Sequence, residues 1–323
     1  MIRRRALLAL PLLAAPLSAR AQGAWPERPV RILVPFAPGG NTDSLARLTA
    51  EILTEAVPGG AFVVENRTGA GGVLAVEALT RAVPDGHTLM VASLSTLCIA
   101  PAAAAQRPRF DPVADVQTVV NLGTNPFVLI AHRSVEAADT AALLAWMRAR
   151  DGRFAYASGG VGSMQHLSMA LLLQRTAIAA EHVPYRGGAP ALLDVIAGNV
   201  PVSFANLSEI MPHRANPALR VLGVSSLTRN AQAPEIPPIA DVVPGFETVT
   251  WNGLIGPAGL PVPLVARLHR VVAESLERPA VRARMATLGA DPLGEGPEAF
   301  ARRLRADVEL WGGVVRAAGV RLE

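Results

Sequence analysis

Ser158, Ser163 and His166 share one short stretch with Gly159, Gly160 and Gly162, and Asp194 lies downstream. A serine, an imidazole and a carboxylate are the parts of a nucleophilic triad, but the G-x-S-x-G turn that presents such a serine is absent. With six histidines in the chain, combinations of this kind arise by chance. They stand at 87, 132, 166, 182, 213 and 269, with neither H-x-x-x-H nor H-E-x-x-H spacing, so they predict no metal site. His166 suits a capping or packing role better than a catalytic one. The glycines around Gly159 fall short of G-x-G-x-x-G, and no acidic residue follows about twenty positions on at a strand end, so no nucleotide is indicated. Lysine is absent, which excludes a lysine nucleophile or Schiff base. Cys98 is the only cysteine, which excludes an internal disulfide and a Cys-based zinc or iron–sulfur site.

A different chemistry is offered by the glycine turns, whose backbone N–H groups can hold an anion. Ile32-Leu33-Val34-Pro35-Phe36-Ala37-Pro38-Gly39-Gly40-Asn41-Thr42-Asp43 is an apolar run that stops at a Pro/Gly turn. Leu45, Leu48, Ile52, Leu53 and Ala56 then recur at helical spacing, giving strand, glycine turn, helix. Gly39 and Gly40 permit positive φ and close backbone approach, and Asn41 or Thr42 can cap the first turn. A helix start of this kind is a ready anion site, although an ordinary βα connection uses the same glycines. Arg67 and Arg186 lie in similar turns and can pair with a carboxylate or sit on the solvated rim. They are not required: charge-assisted hydrogen bonds contribute roughly 1.5–3 kcal/mol each, and micromolar affinity is about 8 kcal/mol.

The elements that must position these turns repeat. Ala61–Glu65 and Thr88–Ala92 read as strands that empty into residues 66–72 and into Ser93-Leu94-Ser95-Thr96. A second series follows: strands at Phe127–Ala131, Phe154–Ala157, Ile178–Tyr185, Val200–Phe204 and Leu219–Val224, with helices at Ala137–Arg148 and Ala189–Ala197. Alternation of this kind implies a mostly parallel sheet with ligands beyond the carboxyl ends of its strands. Residues 229–245 are proline-rich and irregular, then come a strand at Thr248–Leu254 and helices at Leu264–Leu276, Ala280–Leu288 and Pro297–Ala318. At 323 residues two domains are expected. The chain leaves domain I (22–122) near residue 122, builds domain II (123–225), and returns to domain I (226–323), so that two crossings form a hinge.

Residues 1–21 have a basic start, an apolar run from Ala6 to Leu17 and Ala19-Arg20-Ala21 as a cleavage site, the pattern of a secretory signal peptide. Removal of Arg3, Arg4, Arg5 and Arg20 turns the formal net charge of +4 into zero, so the basic balance does not indicate nucleic acid. No later apolar run is long enough to span a bilayer. The expected compartment is the periplasm.

In this order, Trp25-Pro26, residues 34–43, Val64–Gly72, Pro84-Asp85-Gly86-His87-Thr88-Leu89, Tyr156–Gly159, His182–Gly187 and Gly256-Pro257-Ala258-Gly259 resemble the Bug, or TctC-like, family, the extracytoplasmic solute receptors of tripartite tricarboxylate transporters. The similarity covers essentially all of the mature chain. The resemblance implies an α/β, two-domain periplasmic-binding-protein fold of type II, or Venus flytrap, each domain a mostly parallel sheet flanked by helices. It implies a receptor, not an enzyme, that closes over a small organic acid and works with membrane transporter subunits as a monomer. No cofactor or metal, no nucleic acid and no membrane embedding is expected. The ligand residues it implies are Ala37, Gly39, Gly40, Asn41, Thr42, Asp43, Asn66, Ser93, Ser95 and Thr96 in domain I. In domain II they are Ser158, Gly159, Gly162, Ser163, His166, Tyr185, Gly187 and Asn206. An Asp is common in the family just before Asn206, suited to a ligand ammonium; Ala205 stands there and favours a carboxylate without an amine. The alternatives are a hydrolase or decarboxylase on the same scaffold using Ser163 or His166, and a receptor acting only in signalling. Gly40→Val is expected to abolish ligand-induced stabilisation in a protein that still folds, read by thermal melting with and without ligand; undiminished binding refutes the role of this turn.

Overall fold

The computed structural model describes residues 25–321 apart from Ala37 and Arg186. The expected signal peptide and the Ala37 ligand position lie outside the described residues. In chain order the elements begin with β1 (Val30–Val34), α1 (Asn41–Ala56), β2 (Phe62–Asn66), α2 (Val73–Thr80) and β3 (Thr88–Ser93). A helical segment, Ser95–Ile99, runs on into α3 (Ala100–Ala103). Next are β4 (Val116–His132), α4 (Thr140–Arg148), β5 (Ala155–Ser158), α5 (Met164–Thr176), β6 (Glu181–Pro184), α6 (Gly188–Ala197), β7 (Val202–Asn206), α7 (Leu207–Ile210) and β8 (Leu219–Val224). The chain ends with β9 (Val249–Pro257), α8 (Val262–Leu276), α9 (Pro279–Thr287), β10 (Asp291–Glu295) and α10 (Pro297–Ala317). Leu45, Leu48, Ile52 and Leu53 of α1 are buried as their spacing predicts, while Ala56 is exposed.

The strands follow the order β2-β1-β3-β9-β4-β7-β5-β6, with β8 and β10 also on β4. Parallel pairing joins β2, β1 and β3 at one end and β6, β5 and β7 at the other. Between them β9 and β4 run antiparallel to their neighbours. Up to Pro126, β4 pairs with β9; from Phe127 it pairs with β7 and β8. One strand therefore serves two sheets, which we call sheet I (β2, β1, β3, β9, β10 and the first part of β4) and sheet II (the rest of β4, β8, β7, β5 and β6).

The sequence pattern shows only the second half of β4. Its first half, to which the sequence pattern assigns no element, carries Thr118, Asn121, Gly123 and Asn125, all buried. Thr118 Oγ1 donates to Pro297 O at 2.8 Å, Asn121 Nδ2 to Glu295 Oε2 at 3.0 Å and Asn125 Nδ2 to Gly289 O at 2.5 Å. Pairing the Thr118 hydroxyl and the two Asn Nδ2 donors lowers the cost of burying them, so a strand can hold these side chains. The β10 strand, with a proline and a glycine in five residues, gives no strand signal; pairing with β4 makes it one, with a register shift between Pro292 and Glu295. The irregular segment before β9 stays with sheet II: Val224 bridges Pro238, Phe246 stacks on Phe204 at 6.0 Å, and Thr248 N donates to Ser225 O at 3.0 Å.

Gly123 lets β10 approach. A Cβ there would lie 2.5 Å from the backbone oxygen of Asp291 and 2.8 Å from Met285 Cε. Gly123→Ala is expected to cost about 1–3 kcal/mol in a urea melt, because backbone must shift to admit the methyl. Gly313→Ala, in the interior of α10 with nothing within 4 Å of the new methyl, is expected to raise stability by up to about 1 kcal/mol.

Candidate functional site

Pairing registers fix where the strand ends point. In sheet I, Ser93 at the carboxyl end of β3 pairs with Asn252, which pairs with Gly123 of β4. In sheet II, Asn206 at the carboxyl end of β7 pairs with Phe127 of the same strand. Because β4 runs with β1 and β3 but against β7, the two carboxyl edges face each other across Gly123–Phe127. At about 3.3 Å per residue that interval is roughly 13 Å.

On the sheet I side, α1 starts without a side-chain cap. Gly40 holds the N-cap position, so neither Asn41 nor Thr42 caps as expected. Both instead reach across to the returning chain: Asn41 Nδ2 donates to Leu288 O at 2.8 Å, and Thr42 Oγ1 to Asn252 Oδ1 at 2.7 Å. Ser44 N donates to Gly40 O at 2.9 Å, which leaves the N–H groups of Asn41, Thr42 and Asp43 without carbonyls behind them. Among the described residues these three donors have no partner, and at the positive end of a sixteen-residue helix they suit an anion.

Asp43 braces the turn. Its Oδ2 accepts from Gly39 N and Arg47 Nε, both at 2.9 Å, and its Oδ1 from Asn66 Nδ2 at 2.8 Å. Asn66 also donates to Phe36 O at 2.9 Å, tying β2 to the first turn. Burial would raise the Asp43 carboxyl, but the bonds from Arg47, Gly39 and Asn66 outweigh it and hold the value at about 2. The Arg47 ion pair offsets the charge that Asp43 brings to the helix start. Ser93 Oγ and Thr96 Oγ1 lie 3.0 Å apart, both buried, while Ser95 is partly exposed. A Cβ on Gly72 would lie 2.8 Å from both Pro35 Cβ and Thr96 Cγ2, so the turns after β1, β2 and β3 meet there.

In sheet II the turns after β5, β6 and β7 converge likewise. Gly187 N donates to Gly159 O at 3.2 Å, and Tyr185 N to Ser158 O at 2.9 Å. Many of the expected donors are engaged internally. Ser158 Oγ lies 2.6 Å from His182 Nε2 and accepts from Gly160 N at 3.1 Å; Gly162 N donates to His166 Nδ1 at 3.1 Å. Ser163 Oγ caps α5 by accepting from His166 N at 3.2 Å. Asp194 accepts from Tyr185 Oη at 2.5 Å and from Asn199 at 3.1 Å, so Ser163, His166 and Asp194 do not assemble as a triad. Burial and then Asp194 push the Tyr185 phenol up to about 12. His166 and His182 stack face to face at 3.9 Å, with Tyr156 5.0 Å from His182. Burial, then His182, lowers His166 to about 4, and burial lowers His182. The three rings line a cavity of about 460 Å³ against the end of α10.

The two sets of turns meet through the returning chain. Asn125 and Asn41 both donate to Leu288 O, and a Cβ on Gly289 would lie 2.2 Å from Ser208 Cβ, just beyond Asn206. Asn206 caps α7 by accepting from Ser208 N at 3.1 Å. Sequence reasoning missed Asn125, Asn252, Leu288 and Gly289. Only Asn252 carried a signal, as an asparagine inside the strand expected at Thr248–Leu254.

The profile of the TctC family, described as the tripartite tricarboxylate transporter family receptor, matches residues 45–320. The chain belongs to this family. Protein BugT of Bordetella pertussis is 32% identical over 312 residues, which cover 96% of this chain and 94% of that protein. The solved structure of R. palustris Rpa4515 with adipate has a TM-score of 0.75 and 31% identity over 92% of this chain and 99% of that one. MatC from Rhodopseudomonas palustris, solved with bound malate, has a TM-score of 0.71 and 31% identity over 90% of this chain and 100% of that one. The TctC chain thus has the two-domain periplasmic-binding-protein fold, and its parallel strands carry antiparallel β9 and β4 between them. Among the described residues no helix is long and apolar enough to cross a membrane, and no three His, Cys, Asp or Glu residues gather to hold a metal.

Asp43 has a pH signature. Its folded value of about 2 lies below the model-peptide 3.8, so its contribution is complete above about pH 4 and is lost as pH falls toward 2. That gap is worth up to roughly 2 kcal/mol. Asp43→Asn is expected to lose about that much at pH 7 and to flatten the acid limb between pH 4 and 2, measured by urea melts across pH.

Proposed function

We propose that this chain is a periplasmic, non-enzymatic receptor that captures a small organic acid between two lobes built on sheets I and II. The observation that carries the reading is the opposition of the two carboxyl edges across Gly123–Phe127, with the open N–H groups of α1 at one of them. A carboxylate at that helix start is held by α1 and flanked by the turns after β2 and β3. The turns after β5, β6 and β7 close over it. Rpa4515 with adipate and MatC with malate support a small carboxylate as the ligand class. Family membership supports delivery to the membrane subunits of a tripartite tricarboxylate transporter.

The lobes are proposed to meet at two adjacent crossings, Pro126–Phe127 and Thr248–Val249, since Pro126 pairs with Val249 in sheet I while Phe127 and Thr248 are bonded to Ser225. This assigns residues 229–246 to the lobe of sheet II. Two neighbouring strand segments that change sheet together act as a hinge. Ligand that binds both lobes favours the closed state, and closure is what the transporter recognises.

Titration of the mature protein with mono-, di- and hydroxycarboxylates, followed by thermal melting and tryptophan fluorescence, tests the reading. A ligand at a thousandfold excess over its Kd is expected to stabilise by about 4 kcal/mol, with the acid recovered unchanged. Turnover of the acid, or no saturable response to any carboxylate, overturns it.

A further inference from the structure

Glu209 sits where the three turns of sheet II meet. A Cβ on Gly188, the first residue of α6, would lie 2.6 Å from Glu209 Oε1, 2.7 Å from its Oε2 and 2.5 Å from Gln165 Nε2. A Cβ on Gly159 would lie 2.7 Å from Gln165 Oε1. Both side chains thus fill the space that bare glycines leave at the start of α6, whose N-cap, Gly187, provides no side chain. Gln165 is only 9% exposed, and among the described residues no hydrogen bond engages its amide. Glu209 is partly exposed, and its Oε2 accepts from Asn206 N at 3.3 Å, which ties it to the carboxyl end of β7. Ala205, by contrast, packs in the core of this lobe at 2% exposure.

The lobe therefore brings its own carboxylate to the helix start that faces the cleft, beside an amide that can donate or accept. Burial, against the Asn206 bond, already holds the Glu209 carboxyl above the usual carboxylate range. A second carboxylate arriving there meets a like charge in a half-buried site, whereas a hydroxyl, amide or ammonium group meets an acceptor.

We propose that Glu209 sets the polarity of the ligand: the acid's carboxylate goes to the start of α1, and Glu209 takes a hydrogen-bond-donating group at the other end and refuses a second carboxylate. This rests on the receptor reading above and narrows it to monocarboxylates with a polar donor tail. The Rpa4515 and MatC structures hold adipate and malate, so the inference distinguishes this chain from those relatives.

The test compares three end groups on matched chains of roughly four to eight carbons: ω-hydroxy acids, ω-amino acids and dicarboxylates, each titrated calorimetrically. The wild-type protein is expected to bind its best hydroxy or amino acid at least about tenfold tighter than the dicarboxylate of the same length. The two arms separate a neutral from a cationic donor. Glu209→Gln keeps the acceptor for Asn206 N and removes the charge; it is expected to shrink that preference about tenfold, chiefly by gaining dicarboxylate affinity. Equal wild-type affinity for dicarboxylate and hydroxy or amino acid, or an unchanged ratio in Glu209→Gln, overturns the role of Glu209 while the receptor reading stands. If no carboxylate binds, both fall. If the variant does not fold, the wild-type ranking decides alone.

Discussion

The site depends on one constraint: β4 belongs to two sheets and runs in opposite senses relative to their parallel strands. The ends of β1, β2 and β3 and those of β5, β6 and β7 must then face each other, whatever the helices do. The turns after β1, β2, β3, β5, β6 and β7 are thereby aimed at the interval Gly123–Phe127. Such opposition brings turns from distant parts of the chain to face one another.

Buried amides hold that geometry in place. Asn41, Thr42, Asn125 and Asn252 link α1, β4 and β9 to the carbonyls of Leu288 and Gly289, and Gly289 packs against Ser208 on the other side. Each bond is modest, but a partner lost from a buried amide leaves an unsatisfied group that costs more than the bond contributed. The network therefore favours the observed arrangement of the residues around the start of α1. Asp43 adds to this from within the turn and, through Arg47, does so without leaving a bare charge at the helix start.

The half with sheet II is built differently. Ser158 and Gly160 bond each other, Ser163 caps α5, the two stacked imidazoles are held toward the neutral form by burial, and the Glu209 carboxylate lies at the start of α6. The start of α1 presents backbone N–H groups, and the start of α6 has the Glu209 carboxylate beside it. Under the proposed function, this asymmetry would orient an unsymmetrical guest.

The strand–turn–helix units were legible from the sequence, because apolar periodicity and glycine placement are local properties. Leu219–Val224 and the start of α10 at Pro297 fall where the pattern puts them. So does the family, since its motifs are contiguous. The first half of β4 and all of β10 were not legible: their asparagines, prolines and glycines signal loops until partners far along the chain satisfy them. Nor were the partners of Asp43, Asn41 and Ser163 foreseen, for a side chain's bond is chosen by what tertiary packing brings within about 3 Å. Sequence determined which turns exist and what they are made of. Only the folded chain, by sending one strand through both sheets, decided that those turns confront each other and that Glu209 stands among them.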